Sequence, residues 1–185
     1  MAVVAWQDWT DAIASGVRRV PDEVLLRAAE LLSDERRVVV TAGNGGSSAL
    51  ASHAAQALLK PDYTPGGGLA AVCLTDNAPA FTAHANDGGW RGALAETAAP
   101  LLRLGATLLL FSSSGRSENI CYLARRARDA GCGSVAFTGF DGEPLRSMST
   151  ISIHVDSNDY EVVEPVHDAL LHRMQAHLRR LRSRA

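Results

Sequence analysis

The chain has 185 residues and a formal net charge of -2. This length fits one domain, and 46% hydrophobic with 21% charged residues excludes global disorder. The charge balance shows no electrostatic footprint for nucleic acid, so we expect no nucleic-acid partner. The sequence also has no signal peptide pattern and no apolar run of membrane-spanning length. Cys73, Cys121 and Cys132 form no CxxC pair, which predicts reduced thiols in a cytoplasmic protein.

Strands and helices alternate along the predicted chain. In order, we expect helices at Trp6–Ser15 and Pro21–Ser33, strand Arg37–Ala42, helix Ser48–Leu59, loop Pro61–Gly68, strand Leu69–Leu74, helix Asn77–Asn86, loop Asp87–Gly89, helix Trp90–Leu104, strand Ala106–Phe111, helix Ser117–Ala130, strand Ser134–Thr138, a short helix or turn at Gly142–Met148, strand Thr150–Val155 and helix Val162–Arg182. This alternation predicts an α/β fold with a five-stranded parallel sheet covered on both faces. We expect one domain over residues 1–185, with N-terminal helices in 1–36 and the core in 37–185.

A glycine-rich turn follows the first predicted strand. The segment Gly43–Ser48 contains three glycines, an asparagine and two serines, and leads into an alanine-rich helix. Glycines allow close backbone approach, and the free N–H groups and dipole of a helix N-terminus favour an anion. An ordinary tight turn is the alternative, but the composition favours a phosphate or sugar site.

A serine-rich turn follows the third predicted strand. It carries Ser112, Ser113, Ser114 and Ser117. One helix cap needs fewer hydroxyls than this. Because ligands of parallel sheets bind beyond the carboxyl ends of the strands, both turns predict a phosphorylated ligand with several hydroxyls. Neither turn matches GxxxxGK[ST] or GxGxxG, so no nucleotide cofactor is expected. Arg116 either adds positive charge or points to solvent.

Several ionisable residues lie on two predicted helices. His53 follows the glycine-rich turn, and Glu164 and His172 share one face of the last helix because they lie eight residues apart. His167 shares part of that face. Imidazoles and a carboxylate can bind a metal or transfer protons, although an ordinary helix surface is equally compatible with the spacing.

The motifs taken together resemble the sugar isomerase (SIS) domain family, in particular its phosphoheptose isomerase branch. The matching segments are GNGGS at Gly43–Ser47, TAxxND at Thr82–Asp87, SxSGxSxN at Ser112–Asn119 and TGxDGxxL at Thr138–Leu145. The resemblance implies a flavodoxin-like three-layer sandwich with extra N-terminal helices. It also implies a homotetramer with active sites at subunit interfaces.

The resemblance further implies a substrate site for a phosphorylated sugar. Ser47, Ser112, Ser114 and Ser117 would hold the phosphate, while Asn44 and Asp159 would contact the sugar. The remaining members of the implied substrate-binding set are Gly45, Gly46, Asn86, Asp87 and Ser113.

The resemblance also implies a zinc site, at which this chain departs from the family pattern. His53 matches the first histidine of the family's zinc site and His172 the last. Ala57 replaces the glutamate that is the proposed base in the family. Glu164 stands where the family has glutamine. We therefore expect a relocated carboxylate, with His53, Glu164 and His172 as zinc ligands, or Glu164 as base and His172 as acid.

Two functions remain open at this point. The first is aldose–ketose isomerisation of sedoheptulose 7-phosphate, or a related sugar phosphate, through a cis-enediol. The second is a non-catalytic SIS module that binds a sugar phosphate or a protein partner, which loss of the glutamate at Ala57 would favour.

Overall fold

A computed structural model describes residues 5–60 and 67–183 of the chain. Its helices are α1 (Trp6–Arg19), α2 (Asp22–Leu32), α3 (Gly46–Leu59), α4 (Ala78–Gly88), α5 (Trp90–Arg103), α6 (Glu118–Asp129), α7 (Leu145–Met148) and α8 (Tyr160–Arg182). Its strands are β1 (Val39–Ala42), β2 (Ala71–Cys73), β3 (Thr107–Ser112), β4 (Ser134–Thr138) and β5 (Ile151–His154). Most of the predicted loop Pro61–Gly68 lies outside the described residues.

The strands form one five-stranded parallel sheet in the order β2-β1-β3-β4-β5. This confirms the predicted α/β fold. The central strands β1, β3 and β4 are buried at every residue, as strands covered on both faces must be. One face packs against α2, α3 and α8, with α1 alongside, and the other packs against α5 and α6. The result is a three-layer sandwich.

The strand order reverses between β1 and β3, where Ala42 lies beside Leu110. Successive connections lead away from this point in opposite directions, which opens a crevice at the carboxyl ends of the two strands. The glycine-rich and serine-rich turns both leave the sheet here. The topology therefore brings together two turns that lie far apart in the sequence.

Several helix ends differ from the predicted ones, and side chains cap the starts of α4 and α8. Helix α3 begins at Gly46, two residues before its predicted start, which places Ser47 in its first turn. Helix α4 runs to Gly88, so the predicted loop at Asp87 is wrong in part, and the Asn77 side chain accepts a hydrogen bond from the Ala80 N–H at its start. Helix α8 begins at Tyr160.

No helix within residues 5–60 and 67–183 is long and apolar enough to cross a membrane.

Candidate active site

A reciprocal amide pair joins the two turns at the crevice. The Asn44 and Asn119 side chains each donate an N–H to the other's carbonyl oxygen, both at 2.9 Å. Asn119 is fully buried, and its oxygen also accepts from the Ile120 backbone N–H at 3.0 Å. Asn44 thus links the two turns, and its contact with the sugar stays a prediction. Asn119, the last residue of the SxSGxSxN motif, is a structural residue of the site that its sequence position did not reveal.

A small cavity of about 160 Å³ lies between the turns and the start of α8. It is lined by Asn44, Ser47, Phe111, Ser112, Ser113, Ser114, Ser117, Tyr160 and Glu164. The structure thus brings together the five serines predicted to bind substrate, and we call this space the serine cavity. The hydroxyl of Ser112 donates to that of Ser117 at 3.2 Å. The Ser113 hydroxyl is buried and has no hydrogen-bond partner among the described residues.

The segment after β4 supports the serine-rich turn from behind. The Gly139 N–H donates to the Ser113 carbonyl at 2.7 Å, and the Leu145 N–H donates to the Gly115 carbonyl at 3.2 Å. Gly115 and Gly142 pack with their backbones in direct contact. The hydroxyls lining the cavity are therefore held by a backbone framework that spans two strand ends.

Glu164 lies where the serine cavity meets a second cavity of about 280 Å³. The second cavity is lined by Gly46, Ser47, Ala49, Leu50, His53, Glu164, His167 and Asp168. The Glu164 carboxylate lies against the first residue of α3, since a Cβ built on Gly46 would be 2.8 Å from Glu164 Oε2. The positive end of the α3 dipole stabilises negative charge here. Gly46 thus leaves the room that this carboxylate occupies.

A cluster of two imidazoles and a carboxylate lies beside the second cavity. His53 Nδ1 is 3.2 Å from Asp168 Oδ1, and the His53 and His172 rings meet edge to face with centroids 5.1 Å apart. One ligand atom from each of His53, Asp168 and His172 lies within 4.8 Å of the other two. Glu164, predicted as the third member, does not belong to this group. Asp168 takes that position instead, one helical turn after Glu164 on α8.

Other predicted site residues lie outside both cavities. The Asp159 carboxylate caps α8 by accepting the Glu161 N–H at 2.9 Å. Asn86 and Asp87 lie in the last turn of α4, where they hydrogen bond to each other at 3.0 Å and are exposed. Ala57, at the position of the family's glutamate, is buried. Gly45 sits just before α3 with φ +54°, a conformation that glycine adopts without strain.

His167 is a structural histidine of the second cavity. It is buried, and its Nε2–H donates to the Thr138 carbonyl at 3.1 Å. Burial disfavours the charged ring and lowers the pKa of His167 from 6.5 to about 4. The imidazole is therefore neutral near pH 7 and packs edge to face on Phe137.

This depressed pKa predicts acid sensitivity of folding. Above pH 6.5 the ring is neutral in both states, but between pH 6.5 and 4 the unfolded chain binds a proton that the folded chain does not. We expect His167 to lower the free energy of unfolding by about 2 kcal/mol between pH 8 and pH 5. Urea denaturation of the wild type and His167→Gln at both pH values measures this. An equal loss in the two proteins would contradict the assignment.

Comparison with known proteins finds relatives that match most of this chain. The SIS domain family matches residues 6–139. The phosphoheptose isomerase of Mycobacterium tuberculosis is 33% identical, covering 96% of this chain and 94% of that protein. The lincomycin biosynthesis protein LmbN of Streptomyces lincolnensis is 38% identical over 71% of this chain, which spans half of LmbN.

Solved structures show the same architecture. The phosphoheptose isomerase GmhA from Neisseria gonorrhoeae superposes with a TM-score of 0.83 at 27% identity, covering 94% of each chain. The enzyme from Francisella tularensis superposes with a TM-score of 0.84 at 25% identity. The matched motifs, the sheet order and the relatives agree, and the chain belongs to the SIS domain family.

Proposed function

We propose that this protein is a sugar-phosphate isomerase that acts on sedoheptulose 7-phosphate or a related sugar phosphate. The observation that carries the proposal is the position of Glu164, whose carboxylate lies between a cavity lined by serine hydroxyls and a cavity that contains His53. Relatives named phosphoheptose isomerase support this activity over a non-catalytic binding module. Loss of the glutamate at Ala57 does not remove carboxylates from the site, because Glu164 and Asp168 are both present.

The serine cavity is the proposed phosphate site. Ser47 stands in the first turn of α3, and Ser117 immediately precedes α6, so two helix N-termini point toward the same crevice. Free N–H groups and helix dipoles favour a phosphate there. The unpartnered Ser113 hydroxyl offers a further hydrogen bond that no described protein group uses. Phosphate binding at this end would direct the sugar chain past Glu164.

Glu164 is the proposed base. Isomerisation moves one proton between the two carbons C1 and C2 while the carbonyl and hydroxyl exchange places. The Glu164 carboxylate would remove the proton from the carbon beside the carbonyl, hold it, and return it to the neighbouring carbon of the enediol. A second group must move the proton between the two oxygens, and in the metal-free protein His172 is the proposed acid for this step, because an imidazole that binds zinc cannot also donate this proton. Because the same carboxyl takes and returns the proton, no net charge change accompanies the cycle.

The cluster of His53, Asp168 and His172 is the proposed metal site. Two imidazole nitrogens and one carboxylate oxygen form a donor set that suits Zn²⁺ with an open position, and the ligand atoms are already close together. When bound, zinc would supply Lewis-acid polarisation of a sugar oxygen. This assignment replaces Glu164 by Asp168 as the third ligand and leaves Glu164 unbound to act as base.

Activity and metal binding test these assignments separately. Purified protein incubated with sedoheptulose 7-phosphate, with and without zinc, should form the aldose product. Calorimetric titration with zinc should show that Asp168→Asn binds about 10–100-fold more weakly than wild type, as loss of a ligand or of a group that orients one does. Asp129→Asn, on α6, is the matched control and should bind zinc normally.

Either part can fail alone. If the wild type forms no aldose under any metal condition, the isomerase proposal is wrong. If Asp168→Asn binds zinc as tightly as the control, the metal lies elsewhere.

We also propose that the protein is a cytoplasmic homotetramer. Helix α4 has no buried residue in the single chain, although it is rich in alanine, and Trp90 at the start of α5 is 54% exposed. A second copy packed against these helices would cover them, as the family resemblance implies. The three cysteines, all in described residues, form no disulfide, which suits a reducing compartment. Light scattering that finds only a monomer at micromolar concentration would contradict the assembly.

A further inference from the structure

The serine cavity poses an electrostatic problem for a phosphorylated ligand. Among the residues that line it, the charged one is Glu164, an anion. A phosphate monoester carries about -1.5 to -2 charges near pH 7. Hydroxyls and N–H groups offer hydrogen bonds but no full positive charge. A dianion and a carboxylate sharing this cavity would therefore repel each other unless a cation came close.

Arg116 is the one basic residue in the sequences of the two turns. Neither Gly43–Ser48 nor Ser112–Asn119 has another lysine or arginine. The Arg116 backbone stands between the serines that line the cavity, and its N–H donates to the Ser114 hydroxyl at 3.2 Å. Its guanidinium forms an ion pair with Asp141, in the segment behind the turn. From the sequence alone, Arg116 could either add positive charge to the turn or point to solvent.

The ion pair lies at the surface. The Arg116 side chain is 69% exposed and that of Asp141 is 49% exposed. The Arg116 guanidinium holds the pKa of the Asp141 carboxyl below its usual range, so Asp141 is an anion near neutral pH. Solvent screens such exposed pairs, and they contribute little to stability. A more highly charged anion at the serine hydroxyls can therefore compete with Asp141 for this guanidinium.

We propose that Arg116 is the phosphate-neutralising residue of this site and that Asp141 is an internal competitor for it. In the absence of ligand, Arg116 pairs with Asp141. When a phosphate enters the serine cavity, the guanidinium leaves Asp141 and forms charge-assisted hydrogen bonds to the phosphate oxygens. This inference rests on the proposed phosphate site. It adds a residue that binds substrate and a residue that weakens that binding.

Calorimetric titration with inorganic phosphate tests the exchange, because the two members of the pair have opposite expected effects. Arg116→Gln should bind phosphate about tenfold more weakly, since a charge-assisted contact is lost. Asp141→Asn should bind more tightly than wild type, since the competitor is removed. Arg116→Lys keeps the charge and should retain part of the affinity. Arg125→Gln is the matched control, because that exposed arginine on α6 lies over the Tyr122 ring.

The affinity of the wild type should also fall with added sodium chloride more steeply than that of Arg116→Gln, because salt screens the guanidinium contribution. Circular dichroism checks that each variant is folded. If Arg116→Gln is not folded, the phosphate affinities of Arg116→Lys and Asp141→Asn test the proposal, because they should lie below and above that of the wild type, respectively. Unchanged binding in Arg116→Gln overturns the proposal. Weaker or unchanged binding in Asp141→Asn also overturns it, because the ion pair would then only hold the two segments together. An absence of phosphate binding by the wild type overturns it as well.

The isomerase assay keeps this result separate from the proposed reaction. If the phosphate affinities follow the expected pattern but no aldose forms, the assignment of Arg116 stands and the proposed reaction fails. If aldose forms but the phosphate affinities do not follow the expected pattern, the proposed reaction stands and the assignment of Arg116 fails.

Discussion

Glu164→Gln should lower kcat for isomerisation by about 10²–10⁴-fold, the usual contribution of a positioned general base, while phosphate binding is retained. The amide has nearly the same shape as the carboxylate but cannot accept a proton from carbon at neutral pH. Glutamine is also the residue that the resemblance to the phosphoheptose isomerase branch implies at this position. The neighbouring carboxylate, Asp168, is hydrogen bonded to His53 and cannot replace Glu164 as the base without leaving that contact.

The control for this variant is Glu161→Gln. Glu161 lies on the same helix but lines neither cavity, so its removal should leave kcat unchanged. Initial rates of aldose formation, together with inorganic phosphate titrations, separate catalysis from binding. Full activity in Glu164→Gln would show that the base lies elsewhere and would remove the central support of the proposed mechanism.

Gly115→Ala should produce the largest loss of stability among single-methyl additions at this site. Gly115 has φ +68°, and a Cβ built there would lie 1.9 Å from the Gly142 carbonyl oxygen. The left-handed backbone and the clash with backbone atoms act together, so we expect the free energy of unfolding to fall by about 2–5 kcal/mol. Relief of the clash requires the serine-rich turn to move away from the segment behind it. Phosphate binding should therefore weaken as well.

Gly131→Ala is the matched control for the clash. Gly131 has a similar φ of +72°, but no atom lies within 4 Å of a Cβ built there. Its cost should be only the backbone strain of about 1–2 kcal/mol, and phosphate binding should be normal. Urea denaturation of both variants measures the difference that is due to Gly142. Equal losses in the two proteins would mean that the turn accommodates the methyl group.

Much of the architecture could be predicted because it depends on local patterns. The runs of buried aliphatic residues in β1 and β3 identify parallel strands. The turns that follow them are recognisable by their high content of glycine and serine. The helix ends were less predictable, because a cap depends on which side chain reaches which N–H. Asp159 illustrates this: its carboxylate caps α8 in the structure, which its place in the sequence did not indicate, while its contact with the sugar stays a prediction.

The sequence by itself therefore determined the parallel sheet and the two turns rich in glycine and serine, since each follows from neighbouring residues. Only the tertiary structure decided which ionisable groups meet. His53 and Asp168 are 115 positions apart, and their contact depends on how α3 packs against α8. The same packing directs Glu164 toward Gly46, between the cavities, and leaves the place beside the two histidines to Asp168. Helical spacing restricts side chains to a face, but the choice among residues one turn apart is made by the neighbouring helix.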